Sequence, residues 1–313
     1  MSVATPKRQG ADAPPSTARR DVCTGLLWVS PWLIGGTLFL LVPMAMSLYY
    51  SLTDYPILKP PVFIGLDNYT SMFSDVRLKR TVANTLVFGA AFVPLSTVVS
   101  LVLAALLSTR GRGGQKPLAL SRFFRGAIFV PTLVPLVASA MIWRWLFNGQ
   151  YGLFNVLLAR LGIAGPSWLE GNWAIPALVI ASLWGVGQQV VVYVAALQDV
   201  PRHLYEAAEL DGMGPVRRFR NVTLPMISPS ILFNVVTLTI STLQVFAVPY
   251  ILFRDERGQR EAGDFFNLYL YDNAFVYQRM GYASAMAWVQ MLVVLALTAA
   301  MFWMSKKQVY YRA

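Results

Sequence analysis

Charged side chains are scarce in this sequence. Only 13% of its 313 residues are Asp, Glu, Lys or Arg, whereas a typical soluble domain carries about 25%. Apolar residues make up 56% of the chain, and its mean hydropathy is +0.51. This composition excludes an ordinary soluble domain and predicts an integral membrane protein, whose solvent is lipid.

Cysteine and histidine are also scarce. Cys23 is the one cysteine, which excludes an internal disulfide and a cysteine-based metal site. His203 is the one histidine, so a metal site built on several histidines is excluded. The glycine cluster Gly111–Lys116 lacks the spacing of a phosphate-binding loop. We therefore expect no metal, cofactor or ATPase site in this chain. The apolar runs contain no cluster of nucleophile, base or metal ligands, so we do not expect an enzyme.

Six apolar runs follow one another along the sequence. Each exceeds the roughly 20 residues that cross the hydrocarbon core as a helix. Helices are required because lipid offers no partners for backbone N–H and C=O groups. We predict an all-α integral membrane protein with one transmembrane domain over residues 24–313, after a disordered tail, residues 1–23, that is rich in proline and cations. The six predicted spans are Thr24–Tyr50, Thr81–Ser108, Phe124–Phe147, Trp173–Leu197, Ser228–Phe253 and Tyr282–Met304.

Lysine and arginine are divided unequally between the two sides of the membrane. Six spans place both termini on one side, together with the loops after spans two and four. These segments carry 16 of the 26 Lys and Arg residues, so the positive-inside rule predicts that both termini are cytoplasmic. The net charge of +11 then faces the anionic inner leaflet. Membrane lipid explains the charge, and nucleic acid is not expected as a partner.

Charge is nearly absent at membrane depth. When Arg125 is assigned to the loop that precedes span three, Arg144 is the only charged side chain within the six runs. Trp143 and Trp145 flank it, as is typical of an interfacial aromatic belt where arginine reaches the headgroups. An arginine that faces a substrate path is the alternative. Proton-coupled transporters generally use an intramembrane Asp, Glu or His relay, so we expect the energy for any pumping to come from elsewhere.

Neutral polar side chains are concentrated near the middle of spans four and five. They indicate either hydrogen bonding between helices or the lining of a path for a hydrated solute, and the sequence leaves both interpretations open. Amides and hydroxyls suit the hydroxyl groups of a sugar, whereas an anionic solute would require cations that neither span offers. The candidate path residues are Gln188, Gln189, Tyr193, Asn234, Thr237, Ser241 and Gln244.

The cytoplasmic loop at about residues 198–227 predicts a helix–glycine–helix unit. The run Glu206–Leu210 consists of good helix formers. Gly212 suits a helix end, and Pro215 suits the first turn of a second helix. Composition alone is also typical of an interfacial amphipathic helix that touches headgroups.

The order of residues in this loop is more specific than its composition. Glu206-Ala207-Ala208, then Asp211-Gly212, then Leu224-Pro225 resembles the EAA loop of ABC importer permeases. The chain is similar to the maltose-type carbohydrate permeases over most of its length. The resemblance implies the type I ABC importer permease fold in the cytoplasmic (inner) membrane of a bacterium or archaeon. Further segments that carry it are Phe63–Tyr69, Asn84-Thr85, Trp143–Phe147, Tyr151–Asn155 and Met280–Ala285.

The resemblance also implies a mechanism. In that family the loop forms a coupling helix held in a groove of a separate ATPase, and its docking positions here would be Glu206, Ala207, Ala208, Asp211 and Gly212. The implied partners are a second, unlike permease, an ABC ATPase homodimer that binds ATP and Mg, and an extracytoplasmic sugar-binding protein.

One stretch of the sequence differs from the family pattern. The charged stretch Arg254–Glu261 departs from the family's usual Thr-Gly-Gly-Pro. The residues favour a neutral mono- or oligosaccharide as solute and leave a self-contained sodium-driven carrier or facilitator as the alternative.

Overall fold

The computed structural model describes residues 15–108, 119–255, 258–259 and 263–306. The described residues are mainly helical. Thr37–Leu41, Phe219–Thr223 and Asp272–Val276 are π-helical turns, and Gly171–Trp173 is a 3-10 turn. In chain order the α-helices are α1 (Pro15–Gly36), α2 (Val42–Ser51), α3 (Asp67–Met72), α4 (Val76–Leu107), α5 (Ala119–Leu133), α6 (Leu136–Leu146), α7 (Leu153–Arg160), α8 (Ala174–Leu183), α9 (Gly187–Asp199), α10 (Arg202–Leu210), α11 (Pro215–Arg218), α12 (Leu224–Met226), α13 (Ser228–Leu243), α14 (Ala247–Phe253), α15 (Phe266–Tyr271) and α16 (Met280–Ser305).

Two antiparallel strand pairs accompany the helices. The pair β1 (Thr53–Asp54) and β2 (Val62–Phe63) follows α2, with Thr53 opposite Phe63. The pair β3 (Arg254–Asp255) and β4 (Gly258–Gln259) follows α14 and falls in the charged stretch noted in the sequence.

The N-terminal segment differs from the sequence prediction. Residues 1–14 lie outside the described residues, so the predicted disordered tail is described only over residues 15–23. There the chain is already helical and forms the first turns of α1. The run after Pro15 contains Ala18, Arg19 and Arg20, which are good helix formers, and it continues directly into the apolar helix, so no separate nucleation is needed.

Among the described residues, three helices are long and apolar enough to cross a membrane without a break. They are Thr24–Ser51, which contains the π turn between α1 and α2, Val76–Leu107, which is α4, and Met280–Ser305, which is α16. They correspond to predicted spans one, two and six. The 18-residue apolar window of the first is 0% buried within the chain, as expected for a helix surrounded by lipid or by another subunit.

Predicted spans three, four and five are not single helices. α5 and α6 meet at 97°, and the helices on either side of Trp184–Val186 meet at 52°. The predicted fifth span is divided into α13 and α14 by residues 244–246. Counting each bent pair as one span gives up to six spans, although the third pair joins Pro215–Met226 to Ser228–Leu243 at 68°.

Proline explains two of the breaks. Pro135 and Pro249 each lack the backbone N–H that a helix uses, and each ring clashes with the carbonyl four residues earlier. The chain is therefore forced out of the helix before Leu136 and between Leu243 and Ala247. At the break between α8 and α9, Gly185 weakens the helix because glycine loses more backbone freedom than any other residue when it orders.

The core is built around α4, which packs against α8, α9, α13 and α15. At one end Phe88, Leu178 and Phe265 pack with Phe147 and Phe253. At the other end the core is formed by Ala104, Leu107, Val190, Tyr193 and Val194. α2 packs on α16 and α6 on α14. The bent helices are thus held against one long straight helix.

Candidate functional site

The loop between α9 and α13 folds as the predicted helix–glycine–helix unit. α10 ends at Leu210, and a second helical stretch begins at Pro215. Gly212 has φ +70°, a left-handed conformation that a side chain disfavours. Gly212 N–H donates to the Glu209 carbonyl (3.0 Å) and Met213 N–H to the Ala208 carbonyl (2.9 Å). This pair of bonds is a Schellman motif, and it satisfies carbonyls that the helix end would leave unpaired.

Two contacts attach α10 to the second stretch. The hydroxyls of Tyr205 and Thr223 lie 2.9 Å apart and share a hydrogen bond. Arg218 forms an ion pair with Glu209. Thr223 is buried in the π turn that leads into α12, so the position of α10 is linked to the start of α13.

Most of the predicted docking residues lie on the surface. Glu206, Ala207, Asp211 and Gly212 are exposed, whereas Ala208 is 3% exposed and packs inside the unit. Two large apolar side chains are also exposed beside them, Leu210 at 90% and Val216 at 80%. Neither residue is among the docking positions predicted from the sequence. Leu210 ends α10 and Val216 lies in the first turn of α11, on either side of the Gly212 turn. This placement of two apolar residues was the signal in the sequence that could have identified them.

A cavity of about 550 Å³ lies where the two bent helix pairs face each other. Its walls include Pro131–Leu136 from the α5–α6 bend and Trp184-Gly185 from the α8–α9 bend. Trp143 and Trp184 contribute ring surfaces whose centroids are 6.1 Å apart and nearly perpendicular. Thr132, Ser139, Ser182 and Gln188 supply polar atoms, and no charged residue of the described chain lines the cavity. The volume is typical of small-molecule sites.

The seven predicted path residues separate into three groups. Gln188 lines the cavity. Tyr193 and Asn234 are buried where α9, α13 and α4 pack together. Asn234 and Thr97 lie next to the Tyr193 hydroxyl, but neither completes a hydrogen bond with it, and Gln189 Oε1 is likewise buried without one.

The third group lies on the surface of α13. Thr237, Ser241 and Gln244 are exposed on one face of the helix, in line with Phe233. The Thr237 and Ser241 hydroxyls donate to carbonyls of the preceding turn, which lets hydroxyl residues lie in an apolar helix. The structure therefore does not gather the seven residues into one site within this chain.

The sequence also matches the model of a known protein family. The family of the binding-protein-dependent transport system inner membrane component matches residues 114–309, which is more than half of the chain. The chain belongs to this family. Its predicted class, a permease of an ABC importer, is thereby confirmed, and the self-contained carrier is not supported.

Two relatives are similar to the permease over most of its length. The probable ABC transporter permease protein YesP of Bacillus subtilis is 34% identical over 310 residues, covering 97% of this chain and 98% of its own. The sulfoquinovosyl glycerol transport system permease protein SmoG of Agrobacterium fabrum is 33% identical over 283 residues, covering 89% of each chain.

The fold of the permease is that of a solved importer. A chain of a bacterial ABC transporter involved in the import of the acidic polysaccharide alginate superimposes with a TM-score of 0.79 over 93% of this chain and 98% of that chain. At 22% identity, the likeness confirms the predicted type I importer fold and carries no information on the solute.

The permease also contains a polar network at the start of α4 that the sequence analysis missed. Arg77 donates to Asp264 (2.6 and 3.2 Å), to Asp272 (3.1 Å) and to the Tyr277 hydroxyl (2.7 Å). Its guanidinium also lies 4.6 Å from the centre of the Tyr269 ring. Because 187 residues separate Arg77 from Asp264, the sequence held no local signal of the pairing.

Burial sets the protonation behaviour of this network. It raises the pKa of Asp264, and the hydrogen bond and charge of Arg77 oppose the rise. The pKa of Tyr269 rises to about 12 because its hydroxyl is buried and donates to the Asp75 carboxylate. Burial tends to raise the pKa of Asp75, yet the pKa is lowered overall because the carboxylate accepts hydrogen bonds from Leu78 N–H, Tyr269 and Tyr282. At neutral pH the Asp75 carboxylate and the Tyr269 hydroxyl form a charge-assisted hydrogen bond.

Proposed function

We propose that this permease carries a neutral mono- or oligosaccharide and is driven by a separate ABC ATPase. The observation that carries the choice of solute is the uncharged cavity at the two helix bends. Trp143 and Trp184 offer ring faces to the apolar side of a sugar, and Gln188 with nearby hydroxyls offers hydrogen bonds to its hydroxyl groups. An anionic solute would be left without a counter-charge there.

Coupling to the ATPase is proposed to occur through α10 and its glycine turn. The exposed docking residues Glu206, Ala207, Asp211 and Gly212 surround the apolar side chains Leu210 and Val216. Burying these exposed apolar side chains against a partner subunit would be favourable. The Tyr205–Thr223 hydrogen bond would pass a displacement of α10 to α13.

The remaining subunits are part of the same proposal. A second, unlike permease would face the exposed polar side of α13, where Thr237, Ser241 and Gln244 lie. The partner ATPase homodimer would bind ATP and Mg, an extracytoplasmic binding protein would deliver the sugar, and both termini would be cytoplasmic. Purification of the tagged chain from its native membrane in mild detergent should recover an ATPase and a second permease, and recovery of the chain alone would contradict this assembly.

Two neighbouring glutamines give a matched test of the cavity. Gln188→Leu removes a polar group that lines the cavity, and we expect uptake of the transported sugar to fall by about five- to 150-fold, because losing a hydrogen bond in a desolvated site costs about 1–3 kcal/mol. Gln189→Leu is the same change one residue on, outside the cavity lining. Because it removes a buried amide oxygen without a partner, we expect uptake to be retained.

The measurement is initial-rate uptake of labelled sugars in cells that express the complete transporter. Equal amounts of each variant in the membrane, and equal recovery of the ATPase with each, are the controls for folding and assembly. Loss of uptake in Gln189→Leu alone would assign the path to the α4–α9–α13 junction and contradict the cavity as the sugar site.

A further inference from the structure

The short helix α7 has one face fixed to the rest of the protein. The Phe154 ring stacks on Phe147 at 5.4 Å and on Trp143 at 6.1 Å. Asn155 Nδ2 donates to the carbonyls of Gly149 (3.0 Å) and Pro166 (3.2 Å). Its Oδ1 accepts from the Trp168 indole at 2.7 Å. The orientation of α7 is therefore determined on this side by aromatic packing and a fully used amide.

The opposite face of α7 is apolar and exposed. Leu153, Val156 and Leu157 recur at helical spacing along it, and Leu161 follows directly after the last turn; Leu157 and Leu161 are 46% and 74% exposed. The only charge on this face is Arg160 in the last turn. No residue of the described chain packs over the exposed parts of these leucines. Such a face is unfavourable in water and requires a cover.

The surroundings of α7 indicate that this cover is lipid. α7 begins six residues after Phe147, where the third span ends, and the fourth span begins with Trp173. A helix held between two span ends lies at the level of the membrane surface. Trp145, Tyr151 and Trp173 are about half exposed around it, and exposed tryptophan and tyrosine are typical of the membrane–water boundary.

The charges near α7 point the same way. Arg144 and Arg160 are the cations of this region, and the chain contains no acidic residue between Asp75 and Glu170. Both cations can contact the phosphate groups of lipids, and Glu170, the one acid between α7 and α8, lies ten residues after Arg160 in the sequence.

We propose that the exposed face of α7 is a lipid-binding surface, lying in the plane of the membrane at the boundary between headgroups and acyl chains. Leu153, Val156, Leu157 and Leu161 enter the acyl region while Arg160 contacts headgroup phosphate. The aromatic side of α7 then transmits this anchorage to Trp143, which lines the cavity. This surface is separate from the sugar site and from the coupling loop.

Spin labels at single cysteines test the proposal directly. With Cys23→Ser as background, labels are placed at Leu157→Cys, at Gln150→Cys in the exposed polar turn before α7, and at Leu292→Cys, which is 59% exposed in the middle of α16. The full chain is purified with the subunits that accompany it and placed in phosphatidylethanolamine–phosphatidylglycerol nanodiscs. Collision rates are measured with oxygen, which concentrates in lipid, and with a water-soluble nickel chelate.

We expect the label at position 157 to lose nickel collisions and gain oxygen collisions, as at position 292 and unlike position 150. Frequent nickel collisions at 157 would place the face in water and overturn the proposal. A label at 157 that is shielded from both reagents would show that a protein subunit covers the face and would overturn it equally. Normal sugar uptake by the Leu157→Cys protein establishes that the labelled chain is folded.

Discussion

Gly212 determines how the helix–glycine–helix unit turns after α10. Its φ of +70° and the two backbone bonds of the Schellman motif end the helix and start the turn to Pro215. A Cβ at this position would meet nothing within 4 Å. The requirement for glycine here is therefore conformational and does not come from crowding within this chain.

We expect Gly212→Ala to strain this turn by about 1 kcal/mol, since alanine disfavours the left-handed conformation. The strain is local, so the melting temperature of the whole protein should change little while uptake falls. Gly214→Ala is the control, because Gly214 has φ −67° and also has open space around it. Uptake assays with equal membrane levels compare the two, and equal uptake by both variants would contradict a conformational role for Gly212.

Helix breaks create the space between the bent elements. The cavity lies where α5 and α8 end, between the two bends. Gly187, the first residue of α9, lies against α5, and a Cβ there would come within 2.5 Å of the Ile128 carbonyl oxygen. The separation of the two bent pairs thus depends on a residue without a side chain.

Gly187→Ala should push α5 and α9 apart, destabilising the protein by about 1–3 kcal/mol as overpacked cores do. We expect a lower melting temperature in detergent and reduced uptake. Gly185→Ala provides the comparison for the melting temperature, because a Cβ there would make only an ordinary contact, 3.6 Å from the Ser182 carbonyl oxygen. If both variants melt like the wild type, α5 and α9 are not in close backbone contact at this point.

The described part of the molecule consists of three unbroken spans that contact one another at one end, and of bent helix pairs. Asn68 donates to the carbonyls of Ser51, the last residue of the first span, and of Thr53, which follows it. Asp75 precedes α4 and accepts from Tyr282 of α16. The three unbroken spans are therefore held together at one end, while the cavity and the helix–glycine–helix unit belong to the bent helices. Movement during transport is expected mainly at the bends.

Asp75→Asn tests this joint. Because the folded carboxyl has a pKa below 3.8, its contribution to stability is present above that pH and is lost as pH falls through the folded value. We expect the variant to be less stable than the wild type by about 1–2 kcal/mol at neutral pH, with the difference disappearing in acid. Thermal unfolding followed by circular dichroism from pH 7 to pH 3 measures it.

Asp67→Asn is the matched control for that experiment, since Asp67 is an exposed acid in the first turn of α3. It should show a smaller loss of stability at neutral pH. A difference for Asp75→Asn that stays constant down to pH 3 would contradict a role for its ionised form.

The sequence by itself determined the membrane class, the positions of the apolar runs and the helix–glycine–helix unit. These features are local, since hydropathy, helix propensity and the conformational freedom of Gly212 act within a few residues. The family pattern in the loop after span four was likewise readable from residues 206–225.

Only the tertiary structure decided which path residues meet. Gln188 reaches the cavity while Gln189, its neighbour, does not, because adjacent residues of a helix point about 100° apart and the packing against α5 and α4 selects the faces. The prolines that break spans three and five were visible, but the 97° bend depends on what packs against each half. The pairing of Arg77 with Asp264 depends on contacts between distant segments, which local sequence patterns do not encode.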